Sequence, residues 1–137
     1  MDSLRHFLLI DDNVADQLLA EEAFQQLCPE CTLTCVTHGQ TALEMLRAKV
    51  IDPDVILLDI NMPGMNGFEV LQALKADPEL AWLPVVMLST SSAKADIREA
   101  YILHASSYLV KAGNFEHFLQ QIDTFLGFWQ KCRVIHT

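Results

Sequence analysis

Asp59 closes the run Val55-Ile56-Leu57-Leu58-Asp59, and Ile60-Asn61-Met62-Pro63-Gly64-Met65-Asn66-Gly67 follows at once. An unbroken apolar run of that length suits a strand buried on both faces of a parallel sheet. Pro63, Gly64 and Gly67 turn the chain directly after it. Other polar groups take comparable places. Asp11 and Asp12 end His6-Phe7-Leu8-Leu9-Ile10, Ser89 ends Pro84-Val85-Val86-Met87-Leu88, and Lys111 ends Tyr108-Leu109-Val110. In an open α/β sheet the C-terminal strand ends face one ligand crevice. Three carboxylates meeting there repel one another unless a cation sits among them, and hard oxygen donors select Mg²⁺. A lysine and a hydroxyl beside them suit an anion with several oxygens. Together these groups are the equipment of phosphoryl transfer, where positioning and charge neutralisation supply most of the catalysis.

Singly, each group has a plainer meaning. An Asp-Asp pair at a strand end is commonly a cap or turn, a terminal serine is ordinary, and a lone lysine is a solvated charge. The joint pattern shifts the balance, because all five groups fall at C-terminal strand ends and none at the opposite ends.

The elements that must carry these groups are legible along the chain. After the first strand, Asn13 caps a helix over about Ala15 to Leu27, with Leu18, Leu19, Ala23, Phe24 and Leu27 at helical spacing. Thr32 to Val36 is β-branched and reads as a second strand. Gly39 ends it and a short helix begins at Thr41. Helices are predicted over Phe68 to Ala76 and Ala93 to His104, and Asn114 can cap a last one running to about Lys131. Strands and helices alternate five times, which predicts a doubly wound parallel sheet with helices on both faces. Residues 1–137 are consumed by that single α/β unit, with no output domain expected.

Composition narrows the function classes. The 137 residues are 51% hydrophobic and 20% charged, with a net charge of −9. That charge argues against a nucleic-acid surface and against docking on anionic lipid. No apolar run approaches a membrane span, and Met1 to Arg5 is too polar to open a signal peptide, so a cytoplasmic protein is expected. Cysteines stand at 28, 31, 35 and 132. Cys28-Pro29-Glu30-Cys31 has redox or metal spacing, but it spans a helix end and a strand start and no second pair completes a zinc site. Unpaired thiols in a reducing compartment are the expectation.

Leu9-Ile10-Asp11-Asp12-Asn13, Leu57 through Gly67, Pro84 through Ser89 and Ser107-Tyr108-Leu109-Val110-Lys111 together resemble the receiver domain of two-component response regulators, over about residues 5 to 126. The resemblance implies a flavodoxin-like fold with sheet order 2-1-3-4-5. It makes Asp59 the phosphoacceptor, attacking a phosphohistidine on a sensor histidine kinase. It gives Mg²⁺ to Asp12 directly, to Asp11 through water, to Asp59, and to Asn61 through its backbone carbonyl. Lys111 would meet one phosphoryl oxygen and Ser89 another, and Tyr108 holds the family's switch-aromatic position. The implied chemistry is self-phosphotransfer followed by slow self-dephosphorylation.

One departure stands out. Ala112-Gly113 follows Lys111 where the family usually has proline after a typically cis bond. A non-proline cis bond costs about 2.5–4 kcal/mol, so a trans Lys111-Ala112 bond is expected. The position of the Lys111 amine is then the least constrained of the five.

The last helix carries Phe115, Phe118, Leu119, Ile122, Phe125, Leu126 and Trp129 in a broad apolar stripe, followed on its other side by Phe128. Core packing explains most of them. Phe115, Phe128 and Trp129 are harder to bury in one subunit, which predicts a homodimer through this helix and the last strand. The segment Tyr101 to Ala112, with Phe128-Trp129, resembles the stand-alone regulators that accompany phytochrome-type photoreceptor kinases. Two alternatives stay open. A Mg²⁺-dependent phosphatase would want an acid/base carboxylate near Asp59, where Asn61 stands, and a cap domain. A pseudo-receiver that takes no phosphate is left open by Ala112.

Overall fold

The computed structural model describes residues 6–131. Its elements alternate as β1 (His6–Ile10), α1 (Val14–Leu27), β2 (Thr32–Val36), α2 (Gly39–Arg47), β3 (Val55–Leu58), α3 (Gly67–Ala76), β4 (Val85–Ser89), α4 (Lys94–Ile102), β5 (Ser107–Val110) and α5 (Phe115–Lys131). The five strands form one parallel sheet in the order β2-β1-β3-β4-β5, the flavodoxin-like order that the resemblance implies. The predicted strands lie within one residue of the observed ones. α2 starts two residues earlier than expected, at Gly39, where a Cβ would collide with the Val70 side chain and come within 3.3 Å of the Met65 carbonyl oxygen.

Side chains leave a strand on alternate faces, and here both faces are dry. Leu8 and Ile10 of β1, with Ile56 and Leu58 of β3, pack under α2 and α3 against Leu43, Leu46, Val70, Leu71 and Leu74. Phe7 and Leu9, with Val55 and Leu57, pack on the other face against Ala23 and Phe24 of α1 and Ile122 and Phe125 of α5. The Phe7 ring packs at a tilt against Phe24 and Phe125, with centroids 5.3 Å and 5.6 Å away, tying α1 to α5 across the strand.

Leu18 and Leu19 share the helical spacing of α1 but point outward, 60% and 41% exposed, because its buried stripe runs through Ala20, Ala23 and Phe24. Two expectations need correction. Trp129 is only 8% exposed and Phe115 is half-buried, both packed in the α1/α5 cluster. A single subunit therefore buries Trp129 and half-covers Phe115, and of the three aromatics Phe128 is the most open, at 59%. Cys28 and Cys31 are joined as a disulfide instead of remaining thiols. The turn beyond the end of α1, in which the Cys31 N–H donates to the Cys28 carbonyl at 2.9 Å, brings their Cα atoms to 5.3 Å, within disulfide reach. Cys35 is a free thiol pushed up to about 12 by burial, with Glu21 and Asp11 adding to the rise. Cys132 and His136 lie outside the described residues.

α4 ends with His104 at φ 72°, its N–H on Tyr101 and the Ala105 N–H on the Ala100 carbonyl. That left-handed closure favours glycine. His104→Gly is expected to stabilise the fold by about 0.5–1 kcal/mol, read as a higher midpoint in thermal unfolding. A lowered midpoint would mean that the imidazole contributes more than the backbone strain removes.

Candidate functional site

The sheet delivers the charged groups to one edge. Register pairs Ile10 of β1 with Leu58 of β3, so the residues that follow, Asp11 and Asp59, emerge side by side, and the Asp59 N–H donates to the Ile10 carbonyl at 3.0 Å. Ser89 pairs with Val110, and the Lys111 N–H donates to the Ser89 carbonyl at 2.8 Å. Asp11, Asp12, Asp59, Ser89 and Lys111 thus share the C-terminal edge. Asp11 and Ser89 are fully buried and Asp59 is 6% exposed.

Oxygens of Asp11, Asp12 and Asp59 lie within 4.8 Å of one another. Such a set of hard carboxylate donors fits a divalent cation that prefers oxygen. Burial pushes the Asp59 carboxyl up to about 6; Lys111 and the Ile60 N–H pull it down, while Asp11 and Asp12 push it further up. Asn61 lies two residues beyond Asp59 in the β3–α3 loop and is exposed, between the buried Ile60 and Met62. α3 starts under that loop: its N-cap Asn66 accepts from the Glu69 N–H while Glu69 accepts from the Asn66 N–H, and the Gly67 N–H donates to the Ile60 carbonyl at 2.8 Å.

Lys111 takes a place that its motif does not reveal. Its Nζ donates to Asp11 Oδ2 at 2.8 Å and to Asp16 Oδ2 at 2.7 Å. Burial alone would lower the ammonium, but these bonds and the nearby charges of Asp11 and Asp59 hold it above the ordinary lysine value. Asp16 was missed in the sequence. The available signal was its place in the first turn of α1, one turn beyond Asp12, in a helix whose N-cap Asn13 accepts from the Asp16 N–H.

Gln121 was also missed. The Lys111–Ala112 bond is trans, since no cis peptide occurs among the described residues. Ala112 therefore brings an N–H that proline would lack, and Gln121 Oε1 accepts from it at 3.0 Å while Gln121 Nε2 donates to the Val110 carbonyl at 2.6 Å. One α5 side chain thus clamps both sides of Lys111.

On the neighbouring β4–α4 loop, Ser89 Oγ accepts from the Ser91 N–H at 3.2 Å, and the Tyr108 hydroxyl donates to the Ser91 carbonyl at 2.8 Å. Ser91 Oγ in turn donates to Asp96 Oδ2 at 2.5 Å, at the start of α4.

Comparison with known proteins assigns the architecture. The model of the response regulator receiver domain matches residues 7–123. The chain belongs to the response regulator receiver family. Its relatives include the probable methanogenesis regulatory protein FilR2 of Methanothrix harundinacea, 34% identical over 89% of this chain and 81% of that protein. Response regulator Rcp1 of Synechocystis is 32% identical over 89% and 86%. The crystal structure of the phosphorylated cyanobacterial phytochrome response regulator RcpA superimposes with TM-score 0.90 at 34% identity, covering 98% of this chain and all of that one. The Mn²⁺-bound form of Rcp1 gives 0.87 at 30% identity, covering 97% and 99%. Receiver domains bind a divalent metal and work with a partner kinase, and this receiver has the acidic cluster for the first. No helix among the described residues is long and apolar enough to cross a membrane.

Proposed function

We propose that this receiver accepts a phosphoryl group on Asp59 from the phosphohistidine of a sensor histidine kinase. The observation that supports this most directly is the meeting of Asp11, Asp12 and Asp59 oxygens within 4.8 Å, at a sheet edge shared with Ser89 and Lys111, in a member of the receiver family. Asp59 Oδ attacks phosphorus, the P–N bond to the imidazole breaks, and an acyl phosphate remains on Asp59. Asp12 and Asp59 would hold Mg²⁺ directly, with Asp11 through water and Asn61 through its carbonyl. When bound, Mg²⁺ neutralises carboxylate charge and charge developing on the phosphoryl oxygens. Lys111 meets one phosphoryl oxygen and the Ser89 hydroxyl another.

The new group adds a charge of about −1.5 to −2 and strong acceptor oxygens. Ser89 turning toward it gives up the Ser91 N–H, and Ser91 is the residue whose carbonyl holds Tyr108. The switch at Ser89 and Tyr108 then remodels the α4–β5 face. Incubation with acetyl phosphate and Mg²⁺, followed by intact mass, is expected to show one added phosphoryl group, absent when EDTA replaces Mg²⁺. Absence of any adduct would leave a non-phosphorylated pseudo-receiver, and turnover of phosphate esters a phosphatase.

Likeness to RcpA, a cyanobacterial phytochrome response regulator, supports a phytochrome-type kinase upstream, and a cytoplasmic setting is proposed with it. A homodimer through β5 and α5 is the second part of the proposal. Beside the exposed Phe128, a groove of about 720 Å³ is lined by Leu109, His117, Gln121, Phe125 and Trp129. An open apolar groove of that kind suits a second copy better than water. Phe128→Glu places a charge on it at a position that is 59% exposed and gives up one edge-on ring contact, with Trp129. Light scattering is expected to show the parent at twice the mass of the variant, and equal masses would remove this interface.

A further inference from the structure

Lys111 is held by two carboxylates, and only one of them belongs to the acidic cluster that would take metal. Asp16 sits one turn into α1, outside that cluster, yet makes the shorter of the two bonds, 2.7 Å against 2.8 Å. The lysine side chain is 10% exposed and the Asp16 side chain 32%, so the pair is shielded on the lysine side. Asp59 acts on the ammonium only through its charge, at longer range. An ammonium has three donors, and two of them are engaged by carboxylates other than the phosphoacceptor. A cavity of about 260 Å³, lined by Asp16, Leu19, Lys111, Gly113 and Phe115, opens beside the pair. The amine therefore has open space on its Asp16 side and is not locked there by packing.

We infer that Asp16 is a latch: it competes with the incoming phosphoryl group for Lys111 and holds the ammonium back until phosphate arrives. Asp16 is thus a positioning residue that acts through Lys111 and touches no reacting atom, a role that rests on Asp59 taking phosphate. The trans Lys111–Ala112 bond and the Gln121 clamp fix the backbone of the loop, so the side-chain contacts decide where the amine waits. Without the Asp16 charge, the lysine keeps one carboxylate partner instead of two and is released at lower cost to the phosphoryl oxygen.

The test is the rate at which intact mass reports phosphoryl uptake from acetyl phosphate at fixed Mg²⁺. Asp16→Asn is expected to react about three- to tenfold faster than the parent, the worth of one partly exposed charge-assisted bond. Asp16→Glu, which keeps a carboxylate, is expected to fall back toward the parent rate. In a Lys111→Ala background the Asp16→Asn gain is expected to vanish, because the carboxylate acts through the amine. A rate that falls or does not change on Asp16→Asn overturns the latch, as does a gain that persists without Lys111, which would be a general charge effect. Should Asp16→Asn fail to fold, Asp16→Ser carries the same measurement. If the parent itself takes no phosphate, the phosphotransfer reading fails and the latch with it; if the parent reacts and the variants match it, only the latch fails.

Discussion

Asp59→Asn is expected to abolish phosphoryl uptake and, in the absence of metal, to make the protein more stable. The first effect is chemical. An amide oxygen is a poor nucleophile toward phosphorus and yields no acyl phosphate, so intact mass after acetyl phosphate treatment should show no adduct. The second follows from burial. Asp59 is 6% exposed between Asp11 and Asp12, and its carboxyl is raised to about 6 from an ordinary 3.8. A group whose folded-state pKa is raised favours folding fully below its unfolded value, and that contribution is lost as pH rises through the folded value. For Asp59 the window runs from about pH 4 to about pH 6. Above it, the ionised side chain opposes the fold by about 2–3 kcal/mol. Asparagine carries no such charge. In EDTA the variant should melt roughly 5–10 °C above the parent at pH 8, with the gap closing by pH 4. Mg²⁺ should then raise the parent midpoint more than the variant's, because a ligand of the native state stabilises by mass action. A metal-free variant that melts below the parent at pH 8 would show that the Asp59 carboxylate is a net structural asset and that the cost of burying its charge is small.

Gly67→Ala is expected to be the most damaging of the glycine-to-alanine substitutions. A Cβ at Gly67 would collide with the Asp59 carbonyl oxygen and lie 2.8 Å from Ile60 Cα and 2.9 Å from the Asp59 carbonyl carbon. Every one of these neighbours is backbone, so no side chain can rotate away. The Gly67 N–H bond to the Ile60 carbonyl fixes the approach from the other side. Relief requires the start of α3 to move off the end of β3. A cost of about 3 kcal/mol or more is expected, read as a drop in the thermal midpoint of roughly 10 °C. Because the atoms struck belong to Asp59 and Ile60, Mg²⁺ affinity and phosphorylation rate should fall with stability. Two glycines serve as controls. Gly64 has φ 75° but open space, so alanine there costs only the backbone strain, about 1 kcal/mol. At Gly113 a Cβ meets nothing and φ is unrestricting, so alanine should be neutral or stabilising. If Gly64→Ala matches Gly67→Ala, close packing at Asp59 is not what makes Gly67 necessary.

The same distinction separates what could be read in the residues from what could not. Val55 to Leu58 is apolar at every position because both faces of the central strand are covered, and that need is local enough to show in four letters. Asp11, Asp12, Asp59, Ser89 and Lys111 could be grouped without coordinates, because a parallel sheet sends all its C-terminal strand ends to one edge. The trans bond before Ala112 followed from the chemistry of one peptide. The surfaces of α1 and α5 did not follow. Leu18 and Trp129 both satisfy helical periodicity, yet one is 60% exposed and the other 8%, since burial depends on which helix lies opposite. Phe7, Phe24 and Phe125 close the space over β1 and draw Trp129 in, leaving Leu18 outside.

By itself, then, the sequence determined the sheet, its order through the family motifs, and the edge on which five polar groups gather. Only the tertiary structure decided which carboxylates hold the Lys111 amine. Asp16 and Lys111 stand 95 residues apart and Gln121 comes from a third element. Strand and turn preferences act over a few neighbouring residues, whereas the partner of a long, flexible side chain is chosen by whatever groups the finished fold brings within about 3 Å of its tip.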